Sequence, residues 1–282
     1  MSTVTQLVRM RILFFLLAFC FLVVGAGFAF STIAQEQQMN LLKNVSFGAL
    51  RFFASVMAIV ATALLLPKDI EDRTLYTILA KPVPRVEYLL GKLLGVLVVI
   101  GVGLAAMDAI FSCVLWVRQG MVLDDALAGL QQMHGASLSA EDVAKVTAGV
   151  AKQGLTWQLH LATWAIFCQA AVLSALTLLI SCIASSMLFT VMAAMCFAIM
   201  GLGQGMLRDY FLSGGASLWD RGAAALLAVV CPDLGLFDPV VNAVVSGSPV
   251  SAADAGLMTG FAALYVTGYL VVAHLVFVEK EL

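Results

Sequence analysis

Charge is what this chain has least of. Only 11% of its 282 residues are Asp, Glu, Lys or Arg, where an ordinary soluble domain carries roughly a quarter. That scarcity excludes a soluble globular domain. The net charge of −2, with no basic stripe, argues against a nucleic-acid partner. Six cysteines (Cys20, Cys113, Cys168, Cys182, Cys196, Cys231) are scattered without short paired spacings, so neither a disulfide framework nor a zinc site follows. Most lie in apolar runs, where a thiol behaves as a small hydrophobe. His134, His160 and His274 fall in three separate segments, so no metal site is expected from them. Catalytic signatures are missing too. There is no GxSxG, HExxH or CxxC, and Gly91-Lys92 runs into Leu93 without the upstream glycine of a phosphate-binding loop. The glycine-rich stretch at 201–205 ends an apolar run, where close helix packing or an unwound end explains it better than phosphate binding. No enzyme, no catalytic residue and no cofactor on this chain is expected.

What is present is apolar sequence, 62% of the chain. A membrane-spanning helix needs about 20 such residues, and six candidate spans emerge: 12–34, 47–67, 93–117, 157–184, 187–207 and 255–278. The first has an uncharged run too long for a signal-peptide core of about 7–15 residues. The charge-free stretch 157–207 is too long for one helix and is best divided at Ser185-Ser186. Arg51 is expected to snorkel from the outer end of the second span. The expected fold is therefore all-α, a single six-span transmembrane domain over residues 1–282. Short segments on the side of residues 1–11 hold eight of the fifteen Lys and Arg on less than half the length of the opposite segments. The positive-inside rule then places both termini in the cytoplasm of a multi-pass inner-membrane protein. Outside, residues 118–156 read as a helical hairpin, its second arm opening with the capping-box pattern Ser139-Ala140-Glu141-Asp142 and presenting Val143, Val146 and Val150 on one face. Residues 222–231, ending at Pro232, suit a re-entrant or interfacial outer helix before the sixth span.

Between the second and third spans lies a polar island, residues 68–92. Pro67 stops the preceding helix. Asp69, Glu71 and Asp72 then occupy what would be the first turn of a short helix, where negative charge opposes the positive end of the macrodipole. Ile70, Leu75, Ile78 and Leu79 recur at helical spacing, and Lys81-Pro82-Val83-Pro84-Arg85 ends the pattern. An amphipathic helix on the cytoplasmic face either lies on lipid or transmits force to a soluble partner.

The island reads Glu71-Asp72-Arg73-Thr74-Leu75, Ile78, Lys81-Pro82, Arg85 and Tyr88-Leu89-Leu90-Gly91-Lys92. It resembles the first cytoplasmic loop of ABC type-2 transporter permeases. The stretch 232–238 before the last span, with Gly247 and Val250 beyond it, and an ending in Phe277, charged residues and Leu282, add to the likeness. The resemblance implies a coupling helix in which Asp69, Ile70, Glu71, Asp72, Arg73, Thr74, Leu75 and Ile78 contact a separate cytoplasmic ATPase. It also implies a second permease subunit, ATP and Mg bound by the partner ATPase, and export. Arg73, where many members carry a small residue, and the long 118–156 segment depart from the common pattern.

Two polar positions inside the spans are candidate path or gate residues, Asp108 and Gln169. An intramembrane carboxylate is a functional candidate by default. Gln169, Ser174, Thr177 and Ser181 form a polar stripe for which hydrogen bonding between helices is the simpler explanation. A different class of function, an ion- or proton-coupled secondary transporter using Asp108, is the alternative, and a structural membrane protein without transport is a third.

Overall fold

The computed structural model describes residues 12–29, 35–64, 85–134, 140–184, 186–212, 222 and 231–279. All secondary structure among them is helical. In chain order the elements are α1 (Ile12–Ala29), α2 (Gln35–Ala63), α3 (Arg85–His134), α4 (Ala140–Gln153), α5 (Gln158–Ile183), α6 (Met187–Leu212), a 3-10 turn (Leu234–Phe237), α7 (Asp238–Ser246) and α8 (Ala252–Glu279). Five helices, α2, α3, α5, α6 and α8, are long and apolar enough to cross a membrane. Their outward faces are apolar as well, with Leu188, Phe189 and Ile199 on α6 and Leu257, Leu264 and Leu275 on α8 all exposed. Helices apolar on both faces belong in lipid. This is a membrane protein.

α5 is the centre of the bundle. Every residue from Cys168 to Leu178 is buried, all the way round the helix, because α2, α3, α6 and α8 all pack on it. α1 lies against α2 and α3 with Phe19 and Val23 fully buried, Phe19 meeting Phe53 edge-on. At one end of the bundle Tyr88, near the start of α3, stacks on Phe277, near the end of α8, with ring centroids 6.1 Å apart. Toward the other end, the Leu155 amide donates to Gln119 Oε1 at 3.0 Å, and Trp164 Nε1 donates to Thr259 Oγ1 at 3.1 Å. The charge-free run is divided at 184–186, where Ala184 turns to extended geometry (φ −77°, ψ 146°).

Helix ends differ from the sequence reading most at two places, the end of α3 and the start of α2. The third helix does not stop at 117 but continues to His134, so the first arm of the expected 118–156 hairpin is its extension. At 1.5 Å per residue its 50 residues measure about 75 Å, far beyond a hydrocarbon core of about 30 Å. Good helix formers such as Arg118, Gln119, Leu127 and Gln131 carry the pattern on, and an α-helix bonds its own backbone as well in water as in lipid. For the same reason α2 begins at Gln35, twelve residues before the expected start.

α7 is a further departure. This nine-residue helix buries Val240, Val241, Val244 and Val245 and packs on α5 and α2. Pro239 sits in its first turn. Gly247, at φ 71°, closes its end, with the amides of Gly247 and Ser248 returning to the carbonyls of Val244 and Ala243. Two cations on α2 hold it. Arg51, partly exposed, pairs with Asp238 at the helix start, and buried Lys43 donates to the Val244 carbonyl at 3.4 Å. Lys43 and Arg51 are eight residues apart, about 12 Å along α2, while Asp238 and Val244 are about 9 Å apart along α7. The spacings match only if the two helices run antiparallel.

Candidate functional site

Asp108 is the most constrained polar group in the apolar part of the bundle. It lies on α3, 8% exposed, and faces the first two turns of α5. Thr163 Oγ1 donates to its Oδ1 at 2.6 Å, and His160 Nδ1 meets its Oδ2 at 2.6 Å. A carboxylate withdrawn from water needs such partners, because desolvation otherwise removes its charge. The pair borders a cavity of about 240 Å³ lined by Gly101, Leu104, Ala105, Asp108, His160, Thr163, Trp164 and Phe167. Gly101 and Ala105, one turn apart on α3, leave this room. A Cβ on Gly101 would lie 3.4 Å from the Phe167 ring. Trp157 meets His160 edge-on at 5.4 Å between centroids, and Trp164 lies 5.2 Å from Phe167. The cavity is thus apolar and aromatic with one carboxylate–imidazole pair at its wall.

Gln169 does not line this cavity. It is two turns further along α5, 2% exposed, with Oε1 lacking a hydrogen-bond partner among the described residues. Among the described residues, Ser174 and Thr177 of the stripe it heads do not bond across to another helix. Ser174 and Thr177 bond the carbonyls of Ala170 and Leu173, one turn back on their own helix, a geometry open to any buried Ser or Thr. The coupling positions Asp69, Ile70, Glu71, Asp72, Arg73, Thr74, Leu75 and Ile78 lie outside the described residues. So does most of the 222–231 segment.

The glycine-rich end of α6 has a packing role. Gly201 faces the chain at 232–234, where a Cβ would come within 2.6 Å of the Pro232 carbonyl oxygen. One turn on, Gln204 Nε2 donates to the Cys231 carbonyl at 2.8 Å, and the Cys231 thiol donates to the Phe197 carbonyl at 3.4 Å. Burial, and after it the Asp233 carboxylate, push the Cys231 thiol up from its ordinary value and keep it unreactive. No three His, Cys, Asp or Glu side chains among the described residues form a group able to hold a metal.

No protein-family model and no curated protein matches this chain.

Sequence reasoning found Asp108 by its isolation but missed His160 and Thr163. Their signal was present in the i, i+3 spacing, which puts a His and a Thr on one face of an otherwise apolar helix. What was not legible is that α3 and α5 bring those faces together.

Proposed function

We propose that this chain is the membrane-spanning permease subunit of an ATP-driven ABC transporter, an exporter, working with a separate cytoplasmic ATPase and a second permease subunit. The observation that carries this reading is the sequence of the island, Glu71 to Lys92, with its acidic start, Thr74-Leu75, Lys81-Pro82 and Tyr88-x-x-Gly91-Lys92. Its position along the chain is consistent with the reading, since residues 65–84 lie between the end of α2 and the start of α3. In the full scheme α1, α2, α3, α5, α6 and α8 are six spans, and the ends of the chain share the cytoplasm with the island. The stack of Tyr88 on Phe277 favours this, because it sets the end of α8 beside the start of α3. Residues 69–79 then form the coupling helix. Ile70, Leu75 and Ile78 supply buried contact, and Asp69, Glu71, Asp72 and Arg73 set orientation, since charge across an interface tunes encounter and specificity while apolar anchors hold it.

The test is a search of the neighbouring reading frames for a Walker-motif ATPase, its co-purification with this chain in detergent, and hydrolysis in proteoliposomes. Leu75→Asp with Ile78→Asp is expected to release the ATPase and abolish coupled hydrolysis while the permease remains inserted. Full association and coupling in that double variant would overturn the assignment.

The Asp108–His160 pair favours one second reading, a proton-coupled secondary transporter, because a carboxylate and an imidazole sharing a hydrogen bond can exchange a proton with a bound solute. Transport that persists without ATP and collapses with a protonophore would select it over the first.

A further inference from the structure

We propose that the cavity between α3 and α5 binds a lipophilic organic cation, its ammonium head on Asp108 and its apolar body along Gly101, Ala105 and Phe167. The proposal takes Asp108 to lie on the transport path and adds what the path selects. Four observations carry it. First, the wall is asymmetric. Asp108 is the one acidic side chain in the lining, and the remaining residues there, His160 apart, are apolar, aromatic or hydroxyl-bearing. An anionic ligand is repelled there. A neutral one adds no counter-charge to a carboxylate held in a medium where charge is costly.

Second, Thr163 and His160 pin both carboxylate oxygens to α5 from one direction, leaving their remaining lone pairs for a ligand. Third, the rest of the lining is aromatic and aliphatic, with Trp164 and Phe167 adjacent. Ring faces beside a carboxylate suit an organic cation, held by charge on one side and by the ring quadrupole on the other. A bare metal ion would find too few ligands.

Fourth, the cavity opens sideways. Ala105 and His160 are accessible, Trp164 is 44% exposed, and Val98 and Val102 beside it on α3 are 56% and 66% exposed. The surroundings of the mouth are therefore apolar, and a ligand arriving through them must itself be lipophilic. Trp116 on α3 and Trp157 before α5 are also exposed, as aromatic residues at a membrane interface are. Asp108 is eight residues from Trp116, about 12 Å along the helix. That distance lets an amphiphile extend along the groove without leaving the hydrocarbon. The volume, about 240 Å³, takes an amine head and a short length of chain, not a complete two-chain lipid.

The experiment uses the full chain in phosphatidylcholine nanodiscs, without ATPase. Three photoactivatable ten-carbon alkyl probes differ only in the head: primary amine, alcohol or carboxylate. Cross-linked peptides are mapped by mass spectrometry. The amine is expected to label residues 101–108 and 160–167 at least about tenfold more than either comparator, the ratio a charge-assisted hydrogen bond supplies. Asp108→Asn should reduce amine labelling there to the level of the alcohol, and Asp108→Glu should retain most of it. Labelling elsewhere on the chain reports whether each variant is folded. Equal labelling by all three heads, or amine labelling indifferent to Asp108→Asn, would overturn the proposal.

Repeating the measurement in phosphatidylethanolamine discs identifies the source of the ammonium group. Suppressed labelling assigns the site to a lipid head, and unchanged labelling assigns it to a free amine. Amine selectivity in a chain that retains no ATPase would leave the cation site standing and remove the ABC reading. An ATPase complex without amine selectivity would do the reverse.

Discussion

Lys43 shows how one residue can be costly and useful at once. The residue is 1% exposed and its described bond is from the ammonium to the Val244 carbonyl. The last carbonyls of a helix carry the negative end of its dipole, so a cation there is stabilising. Lys43→Met removes the charge along with the bond and keeps most of the packing. It is expected to cost no more than about 1 kcal/mol, as replacements of buried ions by apolar groups often do. Lys43→Glu sets a carboxylate against those same carbonyls and is expected to prevent a stable fold. Thermal unfolding in detergent separates the two, and equal loss in both variants would show that the ammonium does not act through α7. Asp108 is tested differently, because its partners make it structural whatever else it does. Asp108→Asn keeps the size and the Thr163 contact while removing the charge. Transport is expected to fall at least tenfold, a loss of about 1.4 kcal/mol or more, with expression and melting temperature near those of the parent. A variant that transports normally, or merely unfolds, would leave Asp108 as packing. Of the two residues flagged in the spans by sequence, Asp108 lines a cavity and Gln169 does not. A sequence exposes polar residues in lipid equally, whereas only the packing of neighbouring helices decides which of them borders space.

Among the elements, long apolar runs were legible because hydrocarbon thickness fixes the length of a spanning helix. Helix ends in water were not, since nothing at residue 117 or 47 obliges a helix to stop or start. α7 carried readable signals that are weak when short, Pro239 at its first turn and Gly247 after its last. The αL position at Gly247 (φ 71°) predicts that Gly247→Ala costs about 1 kcal/mol, the usual penalty for an L-residue in that region. The loss should be read as faster hydrogen exchange confined to α7. α6 offers a cleaner internal control. Gly201 and Gly203 stand one residue apart on opposite sides of the helix. A Cβ on Gly201 meets the Pro232 carbonyl oxygen at 2.6 Å, while one on Gly203 meets nothing within 4 Å. Gly201→Ala is expected to destabilise by about 1–3 kcal/mol, as overpacking does. Gly203→Ala should be neutral or stabilising by up to about 1 kcal/mol, from helix propensity. Matching thermal shifts in the two variants would mean that α6 does not clasp the 231–234 segment.

For the whole molecule the proposed function turns on which end of the bundle faces the cytoplasm. α3 gives it a ruler. Its N-terminal end lies beside Phe277, and its far end runs from Trp116 to His134, about 27 Å beyond the last exposed tryptophan on that helix. α4 returns along this extension with Glu141, Lys145 and Lys152 exposed, Glu141 and Lys145 paired at 2.7 Å. Such a projection cannot rest in hydrocarbon, so the bundle has a long wet end and a short one. In the proposed topology the short end, where α3 begins, faces the cytoplasm, the orientation that the Lys and Arg bias favours. Single cysteines placed in a cysteine-free background test this in intact cells with a membrane-impermeant maleimide. Positions 125 and 142 are expected to react from outside, and positions 72 and 280 only after the membrane is opened. Replacing the native cysteines should be tolerated at Cys113 and Cys196, which are exposed, and felt at Cys182 and Cys231, which are 1% exposed. Serine at those two sites would add a polar group to a packed interior, so alanine is the better substitute. Reaction of position 72 from outside would place the island away from any cytoplasmic ATPase. The Thr74-Leu75 and Lys81-Pro82 pattern would then have to be a surface helix lying on lipid, and the coupling assignment would fail with the topology that supports it.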